Sequence, residues 1–211
     1  MKTIIITQCR GCATQHPPET EIPSDADRRL RLTTCEVCRK SQWLHRCPPE
    51  FRELDRARFP LPDKLDEVMA WSYGSCGLLL HGETGTGKTR AAYALGRREF
   101  ICGRSFVAIT AQALDIELPA QFAESAACAA KLVRRWTGVE LLLLDDPFKA
   151  RLSDRVEQTL FELIDTRGAK RLPTIVTCND TRDLLLARMS SDRGAAFVRR
   201  LDDYCRKIAF A

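Results

Sequence analysis

One segment of the sequence, GETGTGKT at positions 82–89, combines glycines, a lysine and a threonine in the pattern G-x-x-x-x-G-K-[ST]. Glycines allow successive backbone N–H groups to point inward at phosphate oxygens. In this pattern the Lys88 ammonium lies at the β- and γ-phosphates, and the Thr89 hydroxyl ligates Mg²⁺. A glycine-rich turn could match by chance, but an apolar run precedes the segment and helix-forming residues follow it. We therefore expect a loop that binds ATP or GTP, formed by Gly82, Glu83, Thr84, Gly85, Thr86, Gly87, Lys88 and Thr89.

Two apolar runs further along the chain end in polar residues. The run Leu141–Leu144 is followed by Asp145 and Asp146, and the run TIVTC is followed by Asn179. In an ATPase, Asp145 would hold Mg²⁺ through water and Asp146 would polarise the attacking water. Many ATPases carry Glu in the second place, so the shorter Asp146 predicts hydrolysis that is slow or is stimulated by a partner or DNA. Asn179 could orient the attacking water or sense the γ-phosphate, although a helix-capping or turn role is open.

The C-terminal segment SSDRGAAFVRRL contains three arginines, which are Arg193, Arg199 and Arg200. An arginine supplied by a neighbouring subunit can stabilise the charge on a transferring phosphoryl group. A solvated helix face would explain the same residues, and the sequence leaves both interpretations open.

Ten cysteines occur in the 211 residues, and four of them form two C-x₂-C pairs. Paired thiolates at this spacing predict a tetrahedral Zn²⁺ site, here formed by Cys9, Cys12, Cys35 and Cys38. A segment of this size cannot bury enough surface to fold alone, so the metal would supply folding energy. Disulfides and a redox C-x-x-C are the competing interpretations, and the alternative ligands are Cys47, His16 and His45.

The composition is that of a globular protein, with 45% apolar residues, 29% charged residues and a net charge of +5. No apolar stretch is long enough to span a bilayer, and MKTIIIT is too short an apolar run for a signal peptide. We therefore expect a cytoplasmic protein that does not contact a membrane. Basic residues surround Trp43, a pattern that suits single-stranded nucleic acid as well as a solvated basic face. These residues are Arg28, Arg29, Arg31, Arg39 and Lys40.

Apolar runs alternate with helical segments in an order that predicts an α/β fold, in which helices cover both faces of a parallel sheet. Ligands bind such sheets beyond the carboxyl ends of the strands, where residues 82–89 fall. Strands are expected at 77–81, 106–110, 139–144, 174–177 and near 207–210. Helices are expected at 51–59 (FRELDRARF), at 63–72, from 88, within 111–136, and at 153–166, 181–189 and 194–203.

The motifs GETGTGKT, LLLLDD, TIVTCN and FVRRL, in this order and spacing, resemble those of the DnaC/IstB-like AAA+ ATPases, above all the replicative helicase loaders. The resemblance covers residues 50–211. It implies a Walker A loop at 82–89, Walker B carboxylates at Asp145 and Asp146, sensor 1 at Asn179 and an arginine finger, most naturally Arg200. It also implies an AAA+ P-loop core without a C-terminal lid.

On this basis we divide the chain into a zinc-ribbon domain at 1–47, linker helices at 48–76 and an AAA+ ATPase domain at 77–211. We expect an ATP-dependent loader that binds single-stranded DNA and the replicative DNA helicase, forms a homo-oligomer, and uses ATP, Mg²⁺ and Zn²⁺. Three alternatives remain: an IstB-like transposition helper ATPase, a small-molecule P-loop kinase, and a zinc-ribbon DNA-binding regulator whose nucleotide site is inert.

Overall fold

The computed structural model describes residues 10–12, 34–74, 76–149, 152–179, 189 and 191–211. Within these ranges the α-helices are α1 (Glu36–Arg46), α2 (Pro62–Met69), α3 (Lys88–Ile101), α4 (Leu118–Glu124), α5 (Ala126–Gly138), α6 (Asp154–Ala169) and α7 (Ser191–Tyr204). A π-helical turn at Ala113–Glu117 precedes α4. Within the same ranges, each helix is too short or too polar to cross a membrane.

Five strands form one sheet, in the spatial order β2–β3–β4–β1–β5. Every neighbouring pair is parallel, which confirms the predicted α/β fold class. The third strand begins two residues later than expected, and the fourth and fifth are slightly longer than expected. The strands are β1 (Gly77–Gly82), β2 (Phe106–Thr110), β3 (Leu141–Asp145), β4 (Thr174–Cys178) and β5 (Cys205–Phe210).

The central strands are apolar because both faces of the sheet are covered. In β3, Leu141 and Leu143 pack with residues of α2 and α3, whereas Leu142 and Leu144 pack with residues of α5, α6 and α7. All four leucines are completely buried. This alternation explains the uninterrupted leucine run, since a strand buried on both sides has no polar face. Because β3, β4 and β1 are parallel neighbours, their carboxyl ends meet at one edge of the sheet.

Two predicted helices differ from the structure or fall outside it. The segment 51–59 does not form a helix; it follows one 3₁₀ turn at Pro49–Phe51 and contains another at Arg56–Arg58. Its Phe59 side chain is buried in the core with residues of α2, α3 and the sheet. The helix expected at 181–189 lies outside the described residues apart from position 189.

Helix α1 packs on the same face of the sheet as α3. Its Trp43 side chain is only 1% exposed and contacts the rings of Phe100 and Phe106, at centroid distances of 5.7 and 5.3 Å. The Arg39 side chain is also buried. The interpretation of Trp43 and Arg39 as a nucleic-acid surface is therefore wrong: a fully buried indole cannot stack on a base. The division at residue 47 stays a prediction.

A buried arginine joins α5, β3, α6 and β4 on the opposite face. The guanidinium of Arg167 is 1% exposed and donates to the Thr174 hydroxyl at 2.9 Å. It also donates to four backbone carbonyls, those of Trp136, Val139, Glu140 and Pro173. Burial lowers the pKa of Arg167 to about 10. The cation is tolerated there because oxygen atoms replace the water that burial removes.

Candidate nucleotide site and cysteine cluster

The predicted phosphate-binding loop connects β1 to α3, where the sequence places it. Lys88 is the first residue of α3, and its ammonium donates to the carbonyls of Gly82 at 2.8 Å and Glu83 at 2.6 Å. Thr86 Oγ1 donates to the Glu83 carbonyl at 2.7 Å, which closes the turn. Burial lowers the pKa of Lys88, while the nearby carboxylates of Asp146 and Asp145 act in the opposite direction. The loop is thus already curled, with its lysine directed into the turn.

Two glycines in this loop are required by close contacts as well as by backbone conformation. Gly87 has a φ of +96°, and a Cβ atom built there would lie 2.6 Å from the Phe59 ring. Gly82 has a φ of +137°, and its Cβ would lie 2.3 Å from the Phe210 carbonyl oxygen. Side chains other than hydrogen would therefore be both strained and in collision at these positions.

The carboxylate of Asp145 contacts the loop directly. Asp145 Oδ1 accepts hydrogen bonds from the hydroxyls of Thr89 at 2.7 Å and Thr177 at 2.8 Å. The three residues lie at the ends of β3 and β4 and the start of α3. A hydroxyl and a carboxylate at this separation are oxygen ligands of the kind that Mg²⁺ takes, so the residues fit a magnesium site.

Asp146 occupies a left-handed backbone conformation, with a φ of +47°. Its N–H donates to Thr177 Oγ1 at 2.9 Å, and its carboxylate Oδ2 accepts from the Asn179 amide at 2.6 Å. Asp is one of the few residues that adopt positive φ readily. The structure therefore brings Asp146 and Asn179 together, and it adds Thr177, which the sequence reasoning missed. Only the pairing of β3 with β4 reveals that Thr177 lies beside Asp145.

A pocket of about 920 Å³ opens beside this network. Five of the eight predicted loop residues line it, namely Thr84, Gly85, Gly87, Lys88 and Thr89, together with the predicted Asp145, Asp146 and Asn179. Gly82, Glu83 and Thr86 do not line it; they support the turn from behind. The sequence reasoning missed other lining residues, among them Phe51, Pro60, Arg90, Gln112 and Lys149.

Phe51 and Pro60 bring the segment before β1 into the pocket wall. The Phe51 ring stacks on Tyr93 of α3, with centroids 4.7 Å apart and an interplanar angle of 14°. An apolar wall and a loop of backbone N–H groups in one pocket suit a nucleotide base and its phosphates. No local motif signals this wall, because residues 51–60 reach the pocket only after the chain folds back over α3.

The three candidate arginines have different environments. Arg199 is exposed, and the Arg200 guanidinium lies 2.7 Å from Asp165 of α6 as an ion pair that is not aligned as a hydrogen bond. The side chain of Arg193 lies outside the described side chains. Neither Arg199 nor Arg200 lines the nucleotide pocket of its own chain.

Three cysteines form a compact group at the N-terminal end of α1, and we call Cys12, Cys35 and Cys38 the cysteine cluster. Their sulfur atoms all lie within 4.8 Å of one another, with 4.0 Å between those of Cys12 and Cys35. Sulfur atoms around a tetrahedral zinc ion with bonds of about 2.3 Å lie roughly 3.8 Å apart, so the cluster fits the ion. Cys9 lies outside the described residues, and the buried Cys47 packs in the core with Trp43.

Comparison with known proteins places these features in a family. Residues 78–199 match the model of the AAA family, described as the ATPase family associated with various cellular activities. The ATP-binding protein attributed to insertion sequence IS1162 of Pseudomonas fluorescens is 30% identical over 155 residues. That alignment covers 72% of this chain, and the chain spans 64% of the relative's length.

Solved structures share the fold at low sequence identity. The DnaC helicase loader superposes with a TM-score of 0.58 and 19% identity, covering 80% of this chain and 98% of DnaC. A replication initiator DnaA bound to AMPPCP and single-stranded DNA gives a TM-score of 0.59 and 16% identity, covering 76% of this chain and 50% of DnaA. The chain belongs to the AAA ATPase family, in the DnaC/IstB-like branch that its motifs predict.

Proposed function

We propose that this chain is an ATP-dependent loader that binds single-stranded DNA and the replicative DNA helicase, and that ATP hydrolysis changes its assembly. The network joining Thr89, Asp145, Thr177, Asp146 and Asn179 opposite the phosphate loop carries the ATPase part of the proposal. An inert nucleotide site would not need this arrangement. The loader part rests on the order and spacing of the motifs, which resemble those of the helicase loaders. The AAA family match leaves the kinase alternative without support.

The residues of the pocket divide the work of hydrolysis between them. Lys88 would exchange its bonds to the Gly82 and Glu83 carbonyls for the β- and γ-phosphate oxygens. Thr89 and Asp145 would hold Mg²⁺, which when bound neutralises charge on the phosphates. Asp146 would position and polarise the attacking water, and Asn179 would hold the Asp146 carboxylate in place. Since Asp146 is shorter than Glu, we expect slow hydrolysis that DNA or a partner stimulates.

Variants at two of these positions test the nucleotide site. Lys88→Ala should abolish ATP binding because the cation at the phosphates is lost. Asp146→Asn should keep ATP binding, measured by titration of a fluorescent analogue, while steady-state hydrolysis falls. Tight ATP binding by Lys88→Ala would refute the phosphate-loop assignment. Unchanged hydrolysis by Asp146→Asn would refute the assignment of Asp146.

We further propose that the active site is completed by a neighbouring subunit, with Arg200 as the arginine finger. Support comes from the position of Arg199 and Arg200 on α7, away from the pocket of their own chain. Arg200 would leave its ion pair with Asp165 on assembly, whereas Arg199 is exposed already. Arg200→Ala should bind ATP normally and lose on the order of 10³-fold in rate, as removal of a finger does.

Mixing variants tests the trans arrangement. Arg200→Ala and Lys88→Ala subunits should regain activity together, because one keeps the phosphate loop and the other keeps the finger. Arg199→Ala and Arg193→Ala identify the arginine if Arg200 is not the one, and Lys170→Ala, an exposed cation elsewhere, is the control. Parental rates for all three arginine variants, or activity per subunit that is independent of protein concentration, would contradict assembly in trans.

The second candidate function is that of an IstB-like transposition helper, which acts on duplex DNA. The 30% identity to the IS1162 protein favours it, while the fold shared with DnaC favours neither function over the other. Co-elution with the host's replicative helicase in ATP and Mg²⁺, compared with Lys88→Ala, distinguishes the two. Tight binding to duplex DNA without helicase binding would favour the helper.

We also propose that Cys12, Cys35 and Cys38 bind Zn²⁺, with Cys9 as the fourth ligand. The sulfur separations within the cysteine cluster support this proposal. The full chain should contain one zinc per molecule by elemental analysis and lose it when both Cys35 and Cys38 are changed to Ser. A purified chain without zinc, or a double variant that retains it, would refute the site.

A further inference from the structure

We propose that metal bound at the cysteine cluster raises the affinity of the nucleotide pocket, because it fixes α1 against α3 and thereby fixes the pocket wall at Phe51. This inference rests on the zinc site proposed above. The two sites are linked by buried contacts at the end of α3 and by a row of aromatic rings.

The first link is at the start of α1. Cys35 directly precedes this helix and Cys38 lies in its first turn, so a shared metal would join the helix to the distant Cys12. The next residue, Arg39, is 5% exposed and donates to the carbonyl of Thr34. It also donates at 2.5 Å to the carbonyl of Ile101, the last residue of α3. Movement of the cysteine cluster would therefore move the contact between α1 and α3.

The second link is the aromatic row, which we define as Trp43, Phe106, Tyr93 and Phe51. The ring centroids lie 5.3 Å apart from Trp43 to Phe106 and 6.2 Å apart from Phe106 to Tyr93. The last step, from Tyr93 to Phe51, is the 4.7 Å stack that forms the pocket wall. The row thus runs without interruption from α1 to the nucleotide pocket.

The chain itself gives a third connection. Helix α1 ends at Arg46, and the carbonyl of the following Cys47 accepts from Arg52 Nε at 3.1 Å, beside Phe51. Phe59, further along this segment, lies against Gly87 of the phosphate loop. The segment that forms the wall is therefore held at one end by α1 and at the other by the loop.

A metal ion would add stability at the N-terminus of α1. This helix has 11 residues, and the cysteine cluster joins its N-terminal end to Cys12. Isolated helices of this length are marginal in water. A metal that clamps the first turn would prevent fraying and keep Trp43 in place. A wall held in its binding conformation spares the nucleotide the cost of ordering it.

The test measures the affinity of the full chain for fluorescently labelled ADP before and after zinc is removed with a chelator that spares Mg²⁺. We expect affinity to fall about fivefold or more, within the usual range of coupling between sites, and to return when zinc is restored. Cys12→Ser, which changes an exposed thiol outside α1, should show the same loss without recovery. Cys128→Ser, outside the cysteine cluster, is the matched control and should behave like the parent.

Phe51→Ala tests the route. This variant should bind zinc normally and bind ADP weakly, and zinc removal should then cost little more, since contacts in one network are not additive. If the loss of ADP affinity caused by Phe51→Ala and the loss caused by zinc removal multiply in full, the aromatic row is not the link.

Melting curves must show that the zinc-loaded and the zinc-free protein are both folded at the assay temperature. If Cys12→Ser does not fold, hydrogen exchange of the partly chelated parent replaces it. Protection should then be lost in residues 36–59 before the strands, and simultaneous loss in the sheet would overturn the inference.

The outcomes separate this inference from the proposals on which it depends. Zinc that is present but without effect on ADP affinity overturns the coupling and leaves the zinc site intact. A chain without zinc overturns both. Failure of the zinc-loaded parent to bind ADP or ATP overturns the ATPase proposal itself.

Discussion

Thr177 holds the Asp145 carboxylate and the Asp146 backbone N–H, and its replacement by Val should impair hydrolysis more than nucleotide binding. The change keeps the shape of a side chain that is 1% exposed and removes one hydroxyl. Two hydrogen bonds are lost: the 2.8 Å bond to Asp145 Oδ1 and the 2.9 Å bond from the Asp146 N–H. Asp146 would then keep its left-handed φ of +47° without that support.

The magnitude follows from the two bonds. A hydrogen bond to a charged group contributes about 1.5–3 kcal/mol and a neutral one about 0.5–1.5 kcal/mol. Water can replace part of both at this partly open edge, so we expect the free energy of unfolding to fall by about 2 kcal/mol. For a chain of this size that lowers Tm by roughly 4–8 °C. The same loss of orientation at the reacting centre predicts a fall in kcat on the order of 30-fold.

The assay compares thermal unfolding, ATP binding and steady-state hydrolysis for Thr177→Val, Thr177→Ser and Thr110→Val. The serine restores the hydroxyl and should restore most of the rate. Thr110 also lines the pocket, but its hydroxyl accepts from the neutral Ala113 N–H and not from a charged group among the described residues, so its loss should matter less. Parental kcat and Tm for Thr177→Val would refute the assignment of Thr177 as the residue that positions the Asp145 carboxylate and the Asp146 backbone.

Three further predictions concern the loop, the core and pH. Gly87→Ala should weaken ADP binding by roughly tenfold or more. Gly85 also has a positive φ, but no atom lies within 4 Å of a Cβ built there, so Gly85→Ala should weaken ADP binding less. Equal losses of affinity by titration would show that the contact between Gly87 and Phe59 is unimportant. Arg167→Met should lower the free energy of unfolding by about 3–5 kcal/mol, because it leaves buried carbonyls without a donor. Arg167→Lys should lower it less, and denaturant titration checks both variants. A Met variant as stable as the parent would contradict this role of Arg167. Burial, Lys207 and Lys88 lower the pKa of His81, so its neutral form is favoured in the folded protein. The stability that His81 contributes above pH about 6.5 is therefore lost as pH falls through the lowered pKa. His81→Asn should flatten the decline of the denaturant midpoint between pH 7.5 and 5, and an unchanged slope would exclude His81 as the source of that decline.

The parts of the site that the sequence predicted are those whose spacing is local. Residues 82–89 and the Asp145–Asp146 pair each lie within a few positions of one another, and their types follow from phosphate and metal chemistry. Asn179 was predictable for a related reason: parallel strands end at the same edge, so a polar residue after β4 must lie near one after β3. Thr177 lies only two residues earlier but was missed, because a threonine within a strand is ordinarily a β-sheet former.

The errors come from surfaces that no local pattern reveals. Trp43 among basic residues has the same sequence signature whether the helix face is exposed or covered. Its burial is decided by Phe100 and Phe106, which lie far along the chain. Phe51 was assigned to a helix for the same reason, since its partner Tyr93 belongs to α3. Long-range packing of this kind overrides helix propensity when the alternative buries a large aromatic ring.

The packing of α1 also bears on how the protein can be divided into fragments. A fragment that begins at β1 would keep residues 82–89, the Asp145–Asp146 pair and the whole sheet, yet it would lack the rings of Trp43, Phe51 and Phe59. The faces of α3 and β2 that these rings cover would then be open to water, including Phe100, which is now 8% exposed, and Phe106, which is now 7% exposed. Exposed apolar surface of this kind promotes association. We expect such a fragment to aggregate on expression, whereas one that starts before the cysteine cluster should remain monodisperse.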